Sequence, residues 1–276
     1  MNTLKMEIIN SLKRKELHFV FIFMLIVAVS AFLIECLAFY GSDIRFVRSA
    51  AESTLMQGVY ASSVRSTLFF VLPIICSLVY SDSFYVDYNN GVYKNIISRV
   101  SKGKYIFTKS LVVFSSTFLV FFFTLFINEL LCLITFPQTG LDNIASLPPY
   151  DIGIQNYNES YVFDKLRLES PFLFNTLSVF IISIFAGLLS LVTYSIYFMF
   201  LTKNKIVGIM VTFIFYILIN IGLAMLDFAK LTMFNQLNPS HVGTIAQLVA
   251  WIIGLLIIAA YFIYKKGIKK EWVIES

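Results

Sequence analysis

Six long apolar runs, separated by shorter polar connections, dominate the pattern of hydrophobic and polar positions along this chain. A helix needs about 20 apolar residues to cross a hydrocarbon core of about 30 Å, and each run meets or approaches that length. The pattern therefore predicts an all-α, polytopic membrane protein with a single transmembrane domain over residues 1–276. Its six spanning helices are expected near residues 17–40, 62–81, 107–136, 171–201, 206–227 and 245–264.

The second run is the weakest of the six, because it contains Arg65 at its outer end and Pro73 in its middle. A long basic side chain at the end of a span can extend toward the membrane surface, and this is what we expect of Arg65. Proline is tolerated inside a membrane helix where a neighbouring group satisfies the carbonyl that it leaves free. The run is therefore kept as a span.

Residues 1–16 precede the first run and mix apolar with basic positions. Leu4, Ile8 and Leu12 fall on one stripe of a helix, with Lys5 and Lys13 beside it. This arrangement is typical of an amphipathic helix that lies in the membrane interface. A positively charged leader to the first span explains the same residues, so both interpretations stay open.

A charged island between the second and third runs, residues 80–109, orients the rest of the chain. Gly91 divides it, and the segment VYKNIISRV that follows carries Val92, Ile96 and Val100 at four-residue spacing. Residues at that spacing share one face of a helix. The segment is therefore predicted to form a short helix at the membrane surface, with an apolar face available to another protein.

Composition excludes a soluble protein. Hydrophobic residues make up 58% of the chain and charged residues 13%, against about 25% charged in soluble domains. The formal charge of +5 does not indicate nucleic-acid binding, because the basic residues cluster beside the apolar runs. Cys36, Cys76 and Cys132 lie within apolar stretches and are interpreted as packing residues, with a Cys36–Cys132 pair as the alternative.

The basic residues also predict the orientation. Six spans put both termini and the 82–106 loop on one side, where most of the 21 lysines and arginines lie. Six basic residues fall on the other side, which carries the 137–170 loop: Arg45, Arg48, Arg65, Lys165, Arg167 and Lys230. Since cytoplasmic loops collect basic residues, both termini are predicted to be cytoplasmic and the 137–170 loop extracellular.

The sequence contains no motif for catalysis or metal binding. Walker-type phosphate loops, HExxH, GxSxG and cysteine pairs with metal spacing are all absent. The chain is therefore predicted not to be an enzyme and to hold no metal. Glu35, Glu129 and Asp227 lie at the outer edges of spans, where we expect them to be hydrated, since an ion relay needs groups near the midplane.

The charged island resembles the loop after the second of six spans in permease subunits of type 2 ATP-binding-cassette exporters. The family pattern reads acidic, glycine, apolar pair, small-basic pair and a lysine that opens the third span. The matching positions here are Asp87, Gly91, Ile96 with Ile97, Ser101 with Lys102, and Lys109. Two departures occur: a common proline is replaced around Arg99 and Val100, and a common glycine is Thr108.

The resemblance implies a role and partners. In that family the loop forms a coupling helix that docks on a separate nucleotide-binding ATPase subunit, which binds ATP and Mg²⁺, while the permease holds no cofactor. An amphipathic N-terminal helix lies on the inner membrane surface. Two permease subunits, identical or paralogous, form the pathway, with the first and fifth spans near their seam. The residues thereby implied in ATPase coupling are Asp87, Gly91, Val92, Ile96, Ile97, Arg99, Val100 and Lys102.

Residues 228–244 resemble the family's outer connection between the fifth and sixth spans. In the family, two short half-buried helices lie there over the exit. Asn238-Pro239 suits the break between them, because proline disfavours helix at the residue before it and can start the next helix. The residues implied in this outer gate are Met233, Phe234, Leu237, Asn238 and Pro239.

Topology and resemblance together predict the permease of an exporter in a bacterial cell membrane. By analogy with similar small permeases, its substrate would be an antimicrobial peptide, a drug or a lipid. A secondary transporter, or another six-helix membrane protein that works without ATP, is the alternative. A carrier is expected to show paired Gly/Pro-broken spans around midplane polar groups, and the sequence shows no such pattern.

Overall fold

A computed structural model describes residues 3–43, 47–138, 157–200, 204–239 and 241–269. Within these ranges the regular structure is helical, apart from one isolated antiparallel bridge between Tyr161 and Val242. Six helices of this described part are long and apolar enough to cross a membrane, which confirms the all-α class and the prediction of six such helices. Residues 139–156, which are part of the predicted extracellular loop, lie outside the described ranges.

Eleven α-helices are described, and six of them are the long apolar ones. In chain order they are α1 Thr3–Leu12, α2 Lys15–Ala38, α3 Ser62–Val79, α4 Ser83–Asn89, α5 Val92–Ile97, α6 Lys102–Thr135, α7 Asp164–Glu169, α8 Pro171–Tyr197, α9 Ile206–Met225, α10 Met233–Leu237 and α11 Ile245–Phe262. A 3₁₀ turn, Ala229–Leu231, precedes α10, and a π-helical turn, Ile263–Ile268, continues α11. The long apolar helices are α2, α3, α6, α8, α9 and α11.

Pro73 lies inside α3 without ending the helix. Its ring removes the N–H that would bond the carbonyl four residues earlier, that of Phe69. The hydroxyl of Tyr216 in α9 donates to that carbonyl at 2.9 Å. A neighbouring helix thus satisfies the freed group, as a proline in a membrane span requires.

The centre of the bundle is α8, which packs against α3, α6, α9 and α11. Most of its side chains are buried. Its hydroxyl groups also reach neighbouring helices, since Thr193 bonds Ser77 of α3 at 2.6 Å and Thr212 of α9 at 2.8 Å. Such side-chain hydrogen bonds help to hold membrane helices together. By contrast, α9 and α11 lie at the periphery and bury few of their apolar side chains.

Candidate functional site

The charged island folds as two short helices between two long ones. α4 ends at Asn89, Gly91 adopts a left-handed φ of 71°, and α5 begins at Val92. This backbone conformation strains any residue with a Cβ, so glycine suits the turn. Ser101 directly precedes α6 and Lys102 begins it, so the small-basic pair lies at the start of the third long helix.

The exposed face of α5 differs from the one predicted. Tyr93 is buried and Ile96 packs against the core, whereas Val92 and Ile97 are 43% and 37% exposed. The expected common face of Val92, Ile96 and Val100 is therefore wrong, and the helix ends at Ile97. Burial of the large Tyr93 ring fixes the rotation of α5, and Ile96, three residues on, follows it inward.

Aromatic rings support α5 from beneath. The Tyr93 ring lies 5.6 Å from that of Phe84 in α4 and 5.9 Å from that of Tyr105 in α6, between ring centroids. Phe84 in turn lies 4.4 Å from Phe198, at the end of α8. Burial raises the pKa of the Tyr93 phenol, with a smaller contribution from Tyr88. The rings thus connect α5 to the helices that form the bundle.

A buried ion cluster lies next to these rings. Lys109 of α6 is 1% exposed, and its Nζ lies 2.7 Å from an Asp87 oxygen and 3.3 Å from a Glu7 oxygen. Tyr105 donates its hydroxyl to Asp87 at 2.5 Å, and Tyr80 donates to Glu7 at 2.9 Å. Buried charges are stable in apolar surroundings only when paired and hydrogen-bonded in this way.

A second ion pair reinforces the attachment of the N-terminal helix. Arg14, which follows α1, bonds Asp82 at the start of α4, and its guanidinium carbon lies 4.9 Å from the centre of the Tyr80 ring. Glu7, on α1 itself, is bonded to Lys109 and Tyr80. The charged island, α1 and the start of α6 are therefore joined by ionic contacts, and movement of α4 or α5 would disturb α1.

At the opposite end of the bundle, the acidic residues are not arranged as expected. Glu35 and Glu129 are buried, so their predicted hydration is wrong. An oxygen of Glu35 accepts from the Ala61 backbone at 2.9 Å, and Thr176 donates to Glu129 at 3.2 Å. These contacts satisfy Oε1 of Glu35 and Oε2 of Glu129, whereas Oε2 of Glu35 is buried without a hydrogen-bond partner among the described residues. Asp227, by contrast, is exposed and follows the end of α9.

Residues 50–58 are largely buried within the bundle instead of remaining on its surface. Arg65 does not extend outward, and its Nη1 donates to the carbonyls of Met56 at 2.8 Å and Leu55 at 3.1 Å. Asn128 of α6 accepts from the Leu55 N–H at 2.7 Å and donates to Ala28 of α2 at 2.8 Å. Buried irregular backbone must find its hydrogen bonds within the protein, and this requirement explains why Arg65 turns inward.

The segment 228–244 contains two short helices, but their break differs from the predicted one. The 3₁₀ turn and α10 are separated at Thr232, whose side chain accepts from the Asn235 N–H and caps α10. Asn238 ends α10 with a ψ of 127°, as a residue before proline should. Pro239 starts no helix, because the next one begins at Ile245 under a Thr244–Gln247 capping box.

Side chains of this outer segment are partly anchored in the bundle. Met233 and Leu237 are buried, and the Phe234 ring lies 6.0 Å from that of Phe69 in α3. The Trp251 indole of α11 donates to the Leu231 carbonyl at 2.7 Å. Burial lowers the pKa of His241, which lies beyond α10. The segment is thus fixed on top of α3 and α11.

Residues 3–148 match the family described as ABC-2 family transporter protein. The match covers more than half of the 276 residues and includes α1, the charged island and all of α6. The chain belongs to the ABC-2 transporter family. No curated protein and no solved structure matched it.

Membership of the ABC-2 family confirms the resemblance stated from the sequence. Members are typically non-catalytic membrane subunits of a transporter, and the family in general works with an ATPase partner. This chain is accordingly a multi-pass membrane component of an ABC-2 transporter.

The sequence pattern indicated some members of the buried ion cluster of this ABC-2 protein but not others. It singled out Asp87 and Lys109, which the structure joins directly. Glu7, Arg14 and Tyr80 were missed as partners, because nothing in the local pattern indicates contacts across the length of the chain. The one available signal was an acidic residue, Glu7, within the otherwise apolar and basic helix α1. The three cysteines are free, so no Cys36–Cys132 pair is present in this structure.

Proposed function

We propose that this ABC-2 protein is the permease subunit of an exporter that a separate ATPase subunit drives. The family match over residues 3–148 carries the proposal. ATP and Mg²⁺ would be bound by the ATPase, and the permease would supply the pathway. Both termini and the charged island would be cytoplasmic, in a bacterial cell membrane, because most basic residues lie on that side.

The contact with the ATPase would be made by the exposed part of the charged island. Val92 and Ile97, at the two ends of α5, are its exposed apolar side chains, and Arg99 is exposed two residues after Ile97. Gly91 sets the turn before α5, Asp87 bonds Lys109 of α6, and Ile96 packs against the core. Val100 and Lys102 follow α5, and Lys102 begins α6. Interfaces commonly combine an apolar centre with a charged rim.

The ion cluster would transmit movement from this contact. Asp87 lies in α4, next to the docking helix, and reaches Lys109 in the third span and, through it, Glu7 of α1. Leu4, Ile8, Ile9 and Leu12 on α1 are exposed apolar residues, as an interfacial helix requires. A push on α5 would therefore reach both the third span and the membrane surface.

The outer segment would act as the gate of the pathway. Met233 and Leu237 are buried against the bundle and Phe234 packs on Phe69, so this segment would close the apolar seam until the transporter changes conformation. Asn238 and Pro239 form the turn after α10. Two permeases would flank the pathway, and by family analogy the substrate would be an antimicrobial peptide, a drug or a lipid.

Paired charge substitutions on α5 test the coupling. The double variant Val92→Asp with Ile97→Asp puts two carboxylates into the proposed docking surface, whereas Asn95→Asp adds a carboxylate at an exposed polar position of the same helix. The full-length permease is tagged and purified from the cells that produce it, and mass spectrometry identifies any ATPase that co-purifies. We expect the double variant to lose co-purification of the ATPase and Asn95→Asp to retain most of it, because buried interface residues dominate binding energy.

Two controls make the result decisive. The amount of permease in the membrane and its thermal unfolding midpoint must match the wild type, since both substituted residues are exposed. Retention of the ATPase by the double variant would contradict docking at α5. Absence of any ATPase from the wild-type preparation would contradict the proposed partnership itself.

A further inference from the structure

A groove of about 520 Å³ runs along the bundle between α6, α8, α11 and the π-helical turn. It is lined by apolar side chains such as Phe107, Leu111, Leu188, Leu256 and Ala260. The hydroxyl of Ser110, also in the lining, is already donated to the Phe107 carbonyl at 2.7 Å. The groove therefore offers shape and apolar contact, which suits a hydrocarbon chain better than a polar ligand.

One end of the groove is flanked by cations. The Nζ of Lys269 lies 5.0 Å from the centre of the Tyr264 ring, which is part of the groove wall. Lys104 is exposed on α6, three residues before Phe107 and therefore on the same helix face. The π-helical turn packs against α6, so both lysines belong to the same end of the groove.

We propose that this groove binds an anionic phospholipid of the surrounding membrane. One acyl chain would lie against Phe107, Leu256 and Ala260, and the phosphate would lie at Lys104 and Lys269. Basic sites between membrane helices attract anionic headgroups. Here the two lysines suit the phosphate of such a lipid, and the apolar groove suits its acyl chain. A zwitterionic lipid would fill the groove without using the charge.

Lipid retention by the purified full-length chain tests the site and needs no ATPase. The protein is equilibrated in micelles with equal amounts of phosphatidylglycerol and phosphatidylcholine of the same acyl chains, and native mass spectrometry counts the bound lipids. We expect the wild type to retain phosphatidylglycerol preferentially. In the double variant Lys104→Gln with Lys269→Gln, that preference should fall by roughly thirtyfold, since each lysine near an anionic surface contributes a factor of about five.

Filling the groove gives a second, independent readout. Ala260→Trp should lower retention of both lipids, and Leu256→Trp serves if the first variant does not fold. Thr67→Trp, on an exposed position that lines another groove between α2 and α3, should leave the preference unchanged.

Three outcomes would overturn the proposal. One is equal retention of the two lipids by the wild type, and another is a preference that survives loss of both lysines. The third is a wild-type dimer that Ala260→Trp converts to a monomer, because this would assign the groove to a second copy of the chain.

Discussion

At the scale of single residues, the buried ion cluster depends on Lys109, which faces Asp87 and the fully buried Glu7. Lys109→Met keeps much of the side-chain volume but leaves these carboxylates without their counter-charge. Removing one partner of a buried ion pair typically costs about 3–5 kcal/mol. We expect Lys109→Met to lower the free energy of unfolding by about that amount, measured by denaturant titration of the detergent-solubilised protein.

Two further variants separate the charge effect from lost packing. Glu7→Gln combined with Lys109→Met removes the buried anion too, so it should recover part of the loss. Lys205→Met disrupts an exposed pair with Glu16, at 3.4 Å, and should cost about 0–1 kcal/mol. Equal stability of Lys109→Met and Lys205→Met would mean that the cluster does not hold α1 in place.

The sequence predicted which charges lie within apolar segments but not what they contact. Arg65 was expected to point outward and Glu35 to be hydrated, because both expectations used only the position of the residue near the outer end of its predicted span. Their actual partners are backbone groups of residues 55–61. Hydropathy describes one helix at a time, whereas the hydrogen bonds of a buried connecting segment depend on how several helices pack.

At the scale of an element, α3 accommodates Pro73 because the Tyr216 hydroxyl donates to the Phe69 carbonyl that the proline leaves free. Tyr216→Phe removes that donor and leaves the Phe69 carbonyl buried without a partner, which typically costs about 1–3 kcal/mol. In a Pro73→Ala background the residue-73 N–H can bond the same carbonyl, so Tyr216→Phe should then cost much less. Unfolding free energies of the two single variants and the double variant measure this coupling, and additive effects would contradict it.

Local pattern predicted the long helices well and the short ones poorly. The six apolar runs are sufficient to locate the long helices, because a helix that crosses a hydrocarbon core must be both long and apolar. The face of α5 was misassigned because Tyr93, a large aromatic residue within the predicted polar side, packs on Phe84 and Tyr105. The break at Thr232 was missed because Asn238-Pro239 gave a stronger turn signal than a threonine cap.

At the scale of the whole molecule, burial is distributed very unevenly. α8 is enclosed by other helices, while α2 and α9 both flank α3 and present apolar side chains outward. On α9 these include Met210, Ile214 and Leu218, at the four-residue spacing of a single face. The family resemblance implies a seam between two permeases at these same spans, so this face is where a second permease is expected to pack.

Site-specific photo-crosslinking tests this seam in intact membranes. A photoreactive phenylalanine analogue replaces Leu218 on α9 or, as the matched control, Ile253 on α11; these residues are 63% and 51% exposed. The probe at 218 should form an adduct with a second permease, identical or paralogous, because a seam brings a protein surface within reach. The probe at 253 should react mainly with lipid. A permease adduct at 253 but not at 218 would move the seam to α11, and the absence of adducts at both positions would contradict a paired transporter.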